Sequence, residues 1–297
     1  MVWTIGTDCS GIEAPIQALR RLKIPHKHLW SCELDKFARC SIKANYNPDI
    51  IYEDITKKRK LPSVDIYVCG FPCQTFSSSG KREGMEDPRG IIFFDCIKVI
   101  RKTLPIFFIL ENVKGLLSHD KGHTFSIIKN RLNKLKKYNI QWKLLNTKDY
   151  GIPQNRERIF IIGIRKDRQK KDFEWPQQKK MKSLESYVDK KITHKDKPYD
   201  FCKDIMKNSK SIFLNLFLIR LNGVNSNKYY SPCILTQSAM WCVPMHRFAT
   251  IKELLKLQGF STSFKQSVSN NQLKKQIGNS MSVNVLICIF ISIFKVI

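Results

Sequence analysis

A rhythm in the first 165 residues constrains the fold of this 297-residue chain more than any other feature. Short, unbroken apolar runs alternate with stretches of helical periodicity. Trp3–Thr7, His28–Cys32, Ile66–Cys69 and Phe107–Leu110 read as strands, with Ala14–Leu22 and Lys36–Asn45 as helices between them. The runs IFFIL (106–110) and RIFIIGI (158–164) are continuous rather than alternating. A strand with one wet face alternates polar and apolar side chains, so continuous runs belong to strands covered on both faces. The β-α-β-α order predicts an α/β fold, a Rossmann-like doubly wound sheet whose ligands sit at the carboxyl ends of its strands.

After Arg165 the texture changes. Residues 166 to 210 are dense in Lys, Asp and Gln, and 211–241 carry shorter strand-like pieces, SIFLNLFLI and CILT. An amphipathic helix pattern, TIKELLKLQGF, and a core-like ending, QIGNSMSVNVLICIFISIF, follow. The layout expected is a catalytic domain over 1–167, a smaller inserted recognition domain over 168–245, and a hinge with a return to the catalytic domain over 246–297.

Charge bears on the partner. Lys and Arg number 52 against 25 Asp and Glu, a formal net charge of +27, while 42% of residues are hydrophobic. That apolar content fills a core and excludes a disordered tail. The charge calls for a polyanion, nucleic acid ahead of a membrane, although the abundance of Lys, Asn and Ile, residues of A/T-rich codons, accounts for part of it. The ten cysteines form no CxxC or paired Cys/His spacing, so neither a metal site nor a disulfide framework is expected. The start, MVWTIGTDCSG, lacks the pattern of a secretory signal, and free thiols then point to an intracellular, reducing compartment. The apolar stretch from Val283 to Ile297 is interrupted by Asn284, Ser292 and Lys295 and reads as a buried C-terminal helix.

Several residues carry chemistry. Gly11 sits where the first strand turns into a helix, and Glu33 stands at the tip of the second strand, where an acid accepts hydrogen bonds from ribose hydroxyls. Glu13 and Pro15 replace later glycines of a GxGxxG pattern, which favours a nucleoside cofactor without phosphates over NAD. Asp54 is a third strand-end acid, placed to take an adenine amino group. Cys73 leaves a buried strand in VCGFPCQTFSSSGKREGMEDPRG, a Gly- and Ser-rich loop long enough to act as a lid. Glu111 and Asn112 follow the strand in FILENVKGLL, and Arg156 and Arg158 alternate into the next strand, on one face of extended chain. A nucleophilic Cys, a strand-end Glu and an Arg pair are the parts needed to attack an electron-poor ring. Gly278-Asn279-Ser280 is read as opening the final helix, where N–H groups meet a carboxylate.

GFPCQTFSSSGKREGMEDPRG, ENVKG, QNRER, KELLKLQGF and GNSMSVNV, in this order, resemble the successive motifs of the C5-cytosine DNA methyltransferases of bacterial and viral type. The likeness runs over most of 3–165 and 246–290, and leaves 168–245 as the variable recognition region. It implies S-adenosylmethionine as cofactor and double-stranded DNA as partner; a monomer is expected by default, because nothing in the sequence demands a partner. It also implies roles: Cys73 adds to C6 of a cytosine, Glu111 holds or protonates N3, and Arg158 with Arg156 binds the O2 side. Gln74 and Ser77 would position the loop and the target phosphate, with Pro72, Arg89, Asn112 and Thr236 as further substrate contacts. Glu33 matches the ribose acid, Asp54 the adenine acid, and Asn279 with Ser280 the methionine end, beside the turn at Gly11. Cys9, near a position that is aromatic in many relatives, is a departure. Arg220, Asn222, Asn225, Thr236, Gln237 and Ser238 are candidates to touch bases. The competing readings are a tRNA cytosine methyltransferase with the same catalytic motifs, a catalytically dead DNA-binding homologue, and a nicotinamide oxidoreductase.

Overall fold

A computed structural model describes residues 1–72, 92–222, 227–237 and 239–297. They divide into two compact units: 1–145 with 157–176 and 286–297, and 146–156 with 177–285. The second unit thus takes in 146–156 and 246–285 besides most of the region expected to recognise DNA.

In the first unit, β1 (Trp3–Asp8), α1 (Ala14–Arg21), β2 (His26–Cys32), α2 (Lys36–Asn45), β3 (Ile50–Tyr52) and β4 (Ile66–Cys69) lead to α3 (Ile92–Thr103), β5 (Phe107–Val113), α4 (His123–Asn133), β6 (Tyr138–Asn146) and β7 (Glu157–Arg165). The sheet order is β3-β2-β1-β4-β5-β7-β6. β1 pairs in parallel with both β2 and β4, and β5 pairs in parallel with β4 but antiparallel with β7. The chain winds outward from β1 to β3 and then restarts on the other side at β4. This reversal opens a crevice at the carboxyl ends of β1 and β4, as in other doubly wound sheets.

The continuous apolar runs behave as their sequence predicts. All four residues of β4 are buried, as are Phe107 to Leu110 of β5 and Ile159 to Ile162 of β7. α2 begins where the Asp35 carboxylate accepts the Phe37 N–H at 2.8 Å. α1 has no such side-chain cap; Glu13 precedes it with φ 59°, a left-handed conformation.

The second unit holds α5 (Lys203–Asn208), β8 (Phe213–Asn215), α6 (Leu216–Asn222), β9 (Met240–Cys242), β10 (Arg247–Phe248), α7 (Ile251–Gln258) and α8 (Asn270–Asn279). β10-β9-β8 form a three-stranded antiparallel sheet. SIFLNLFLI is strand only as far as Asn215; its side chain then accepts the Phe217 N–H at 3.2 Å and starts a helix instead. CILT (233–236) joins no strand. α7 carries a reciprocal cap: Thr250 Oγ1 accepts the Glu253 N–H while the Glu253 carboxylate accepts the Thr250 N–H.

The final helix, α9 (Val283–Phe294), starts in the second unit and ends in the first. Its rings pack on the first unit's sheet, Phe290 and Phe294 lying 6.1 and 5.8 Å from Phe107. The most apolar 18-residue stretch of 270–294 is hydrophobic enough for a membrane, but 72% of it is buried within the protein.

Candidate active site

The crevice is built first by the turn after β1. Cys9, Gly11 and Glu13 have φ of 48°, 56° and 59°. A Cβ on Gly11 would meet nothing within 4 Å, so the conformation, not crowding, asks for glycine there. The Gly11 N–H donates to Glu33 Oε2 at 2.7 Å, and the Asp35 N–H to Glu33 Oε1 at 2.9 Å. Burial pushes the Glu33 carboxyl above its ordinary value, against the pull of these two donors. Leu34, the next residue, is 73% exposed, a large apolar side chain at the rim that sequence reasoning did not single out. Asp54 lies beyond β3, its Oδ1 accepting the Thr56 hydroxyl and N–H at 2.7 and 2.8 Å. Those bonds hold the carboxyl below the usual range.

Beneath the crevice lies a network that the sequence did not reveal. Asp8, the last residue of β1, accepts Arg59 Nη1 at 2.6 Å, Arg59 Nη2 at 3.1 Å and the Tyr67 hydroxyl at 2.8 Å. The pair fastens the segment that follows Asp54 onto the centre of the sheet. Nothing distinguishes Arg59 in the basic run KKRK; its partner is 51 residues away.

The catalytic candidates come next. Glu111 lies in β5 rather than after it, 8% exposed, and antiparallel pairing brings the start of β7 to the end of β5, with Val113 opposite Arg158. Arg158 Nε stands 3.3 Å from Glu111 Oε1. Glu157 is occupied elsewhere, with Lys114 at 2.9 Å. Asn112 is 1% exposed, and its amide donates to the Phe71 carbonyl at 3.1 Å. It was expected to touch substrate; in the structure this bond fastens the backbone one residue before Pro72. Cys73, Gln74, Ser77 and Arg89, with the proposed lid, lie outside the described residues, as do Asn225 and Ser238. Cys69, four residues before Cys73, is fully buried with its Sγ 3.4 Å from that of Cys96. Burial and the thiols of Cys9 and Cys96 push the Cys69 thiol well up, an inert state.

Arg156 departs from expectation. It lies before β7, in the second unit, is 2% exposed, and donates to the carbonyls of Ile234 (3.0 Å), Gly278 (3.0 Å) and Ser280 (2.7 Å). Its neighbour Gln154, which opens the QNRER motif but was given no role, is fully buried and bonds the Leu257 carbonyl, the Gln258 side chain and the Ile234 N–H. Asn279 and Ser280 do not open the last helix. Asn279 is exposed at the end of α8, and Ser280 caps that end, its N–H donating to the Ile277 carbonyl while Arg156 and Gln258 both bind the Ser280 carbonyl. Thr236 is exposed, and the chain just before it crosses Gly278 so closely that a Cβ there would stand 2.4 Å from the Leu235 carbonyl carbon. Among the described residues no group of three His, Cys, Asp or Glu is placed to hold a metal ion.

The model of the C-5 cytosine-specific DNA methylase family matches residues 8–295. The chain belongs to this family. It is a DNA (cytosine-5)-methyltransferase by that membership, and its curated relatives agree. It is 39% identical over 277 residues to the type II methyltransferase M1.ScrFI of Lactococcus lactis subsp. cremoris, covering 86% of this chain and 69% of the relative. It is 33% identical over 284 residues to the type II methyltransferase M.HhaI of Haemophilus parahaemolyticus, covering 87% and 84%. In fold the methyltransferase is similar to a solved structure described as a DNA modification methyltransferase encoded within an E. coli prophage. The TM-score is 0.76 at 18% identity, over 99% of each chain.

Proposed function

We propose that this methyltransferase transfers a methyl group to C5 of a cytosine rotated out of double-stranded DNA, through a transient bond from Cys73 Sγ to C6. The observation that carries this reading is the Glu111–Arg158 pair, 3.3 Å apart at the end of β5, beside the Phe71 backbone that Asn112 fastens and that runs into Cys73. Cytosine C5 is a poor nucleophile until a thiolate adds to C6 and the displaced electron pair is received at N3. Glu111 holds or protonates N3, and Arg158 meets the O2 side and balances the developing charge. The electrons returned to C5 then form the new carbon–carbon bond as the donor's methyl–sulfur bond breaks, its electron pair remaining on the sulfur. Loss of the C5 proton to water restores the double bond and expels the Cys73 thiolate, and any proton taken up at N3 returns to Glu111. The thiolate is the reactive form, and neighbouring Arg charge favours it. Extruding the base costs a few kcal/mol of stacking and pairing, a cost met by the contacts made to the flipped nucleotide.

S-adenosylmethionine supplies the electrophilic methyl group when bound. The residues at the β1 and β2 ends fit it: open space over Gly11, the Glu33 carboxylate for ribose hydroxyls, the Asp54 carboxylate for an amino group, and exposed Leu34 as an apolar wall. Transfer of labelled methyl groups to duplex DNA and to tRNA tests the reading. The wild type should label duplex DNA, and Cys73→Ser should bind DNA without turnover. Robust methylation by that variant, or labelling of tRNA alone, overturns it.

A further inference from the structure

Glu13 is a buried acid that the proposed chemistry leaves unused. It is fully buried, yet its backbone is left-handed, with φ 59° and ψ 49°. Its Oε1 accepts the Thr7 hydroxyl of β1 and the Ser31 hydroxyl of β2, each at 2.6 Å, and His28 Nε2 lies 3.5 Å away. Its Oε2 has no hydrogen-bond partner among the described residues. A left-handed non-glycine residue and a carboxylate removed from water are each unfavourable, and both persist at one residue only where the surroundings over-determine them.

What this residue holds is the turn itself. Thr7 Oγ1 lies 2.7 Å from Ser10 Oγ, the Cys32 N–H donates to Ser10 Oγ at 3.1 Å, and the Ser10 N–H donates to the Cys32 carbonyl at 3.1 Å. The chain of bonds from Glu13 through Thr7 and Ser10 to Cys32 ends one residue before Glu33, which in turn takes the Gly11 N–H. A glycine at position 13 would adopt the left-handed conformation freely but would anchor nothing. The glutamate gives up that ease and ties β1, β2 and the start of α1 together from inside. We infer that Glu13 is a positioning residue for the cofactor, holding the Cys9–Glu13 turn in the shape that presents Gly11 and the Glu33 carboxylate to it.

This inference rests on the reading of the β1 and β2 ends as the S-adenosylmethionine site, and the experiment separates the two. S-adenosylmethionine affinity is measured by calorimetry, with steady-state KM for cofactor and for DNA, on wild type, Glu13→Gly, Glu13→Gln and Ser31→Ala. Glu13→Gly should weaken cofactor binding and raise its KM about tenfold, ~1.4 kcal/mol, with the KM for DNA and kcat at saturating cofactor unchanged. Glu13→Gln should stay within about threefold of wild type, because the amide oxygen accepts the same two hydroxyls. Ser31→Ala, which leaves the turn's backbone untouched, should lose several-fold. Wild-type or tighter binding by Glu13→Gly shows that only backbone strain matters there and overturns the inference alone. So does equal damage in Glu13→Gln, or a loss spread evenly over kcat and the KM for DNA. If Glu13→Gly does not fold, unchanged cofactor KM in Ser31→Ala overturns it. Failure of the wild type to bind the cofactor overturns both the site reading and this inference.

Discussion

Arg156 and Arg158 stand two residues apart in one motif and serve different ends. Arg156, in the second unit, gives its guanidinium to three backbone carbonyls from two distant stretches of chain. Arg158, in the first unit, faces a carboxylate at the mouth of the sheet, 3.3 Å away and with 14% of its side chain still exposed. The second unit repeats its own habit at Arg247 and Glu253. These two are completely buried, joined by two bonds of 2.8 and 2.9 Å, and closed by the Asp189 and Thr250 amides. In the second unit these charges are spent on joining loops that lack a large sheet. In the first unit the sheet supplies the framework, and a charge can be kept at its edge for chemistry.

The largest effect should come from Arg158→Ala. Removing a group that stabilises charge in the reaction should lower kcat about 100- to 1,000-fold, while the urea midpoint moves little. An unfolded Arg158→Ala would erase the contrast. Arg156→Ala should do the opposite: removing its hydrogen bonds to three buried carbonyls, of which that of Ser280 keeps a second donor in Gln258, costs about 3 kcal/mol in urea denaturation, with kcat of the folded protein within about tenfold of wild type. Turnover lost at full stability would move Arg156 back beside the substrate. The mildest effect is a pH dependence in the second unit. Burial pushes the Glu253 carboxyl up, but Arg247 and the amides of Asp189 and Thr250 outweigh it and hold it below its ordinary value of 4.5. Its contribution is therefore complete above that value and is lost as pH falls through the lower, folded one. The stability gap between wild type and Glu253→Gln should be constant near neutrality and shrink below about pH 4.5. A gap that widens in acid contradicts the assignment.

The strands β1, β2, β4, β5 and β7 and the helices α1 and α2 were legible because each is a local pattern. A continuous run such as RIFIIGI can hardly be anything but a covered strand once helices flank it. The meeting of Glu111 and Arg158 was legible from their places near strand ends. The role of Asn112 was not, because an amide that binds a backbone carbonyl 41 residues away has the same letter as one that binds a base. The same holds for Asp8 with Arg59. SIFLNLFLI misled for the opposite reason, since its apolar pattern suits strand and helix alike and one asparagine side chain decides where the first yields to the second.

The sequence alone thus determined the alternation of strand and helix that begins the first unit, the crevice expected at its strand ends and the chemistry-bearing residue types, all consequences of short-range periodicity and motif spacing. Tertiary structure alone decided which charged and polar side chains are consumed inside the fold. Hydrogen bonds and ion pairs depend on approach to about 3 Å, and closeness between residues tens of positions apart is written in no local pattern.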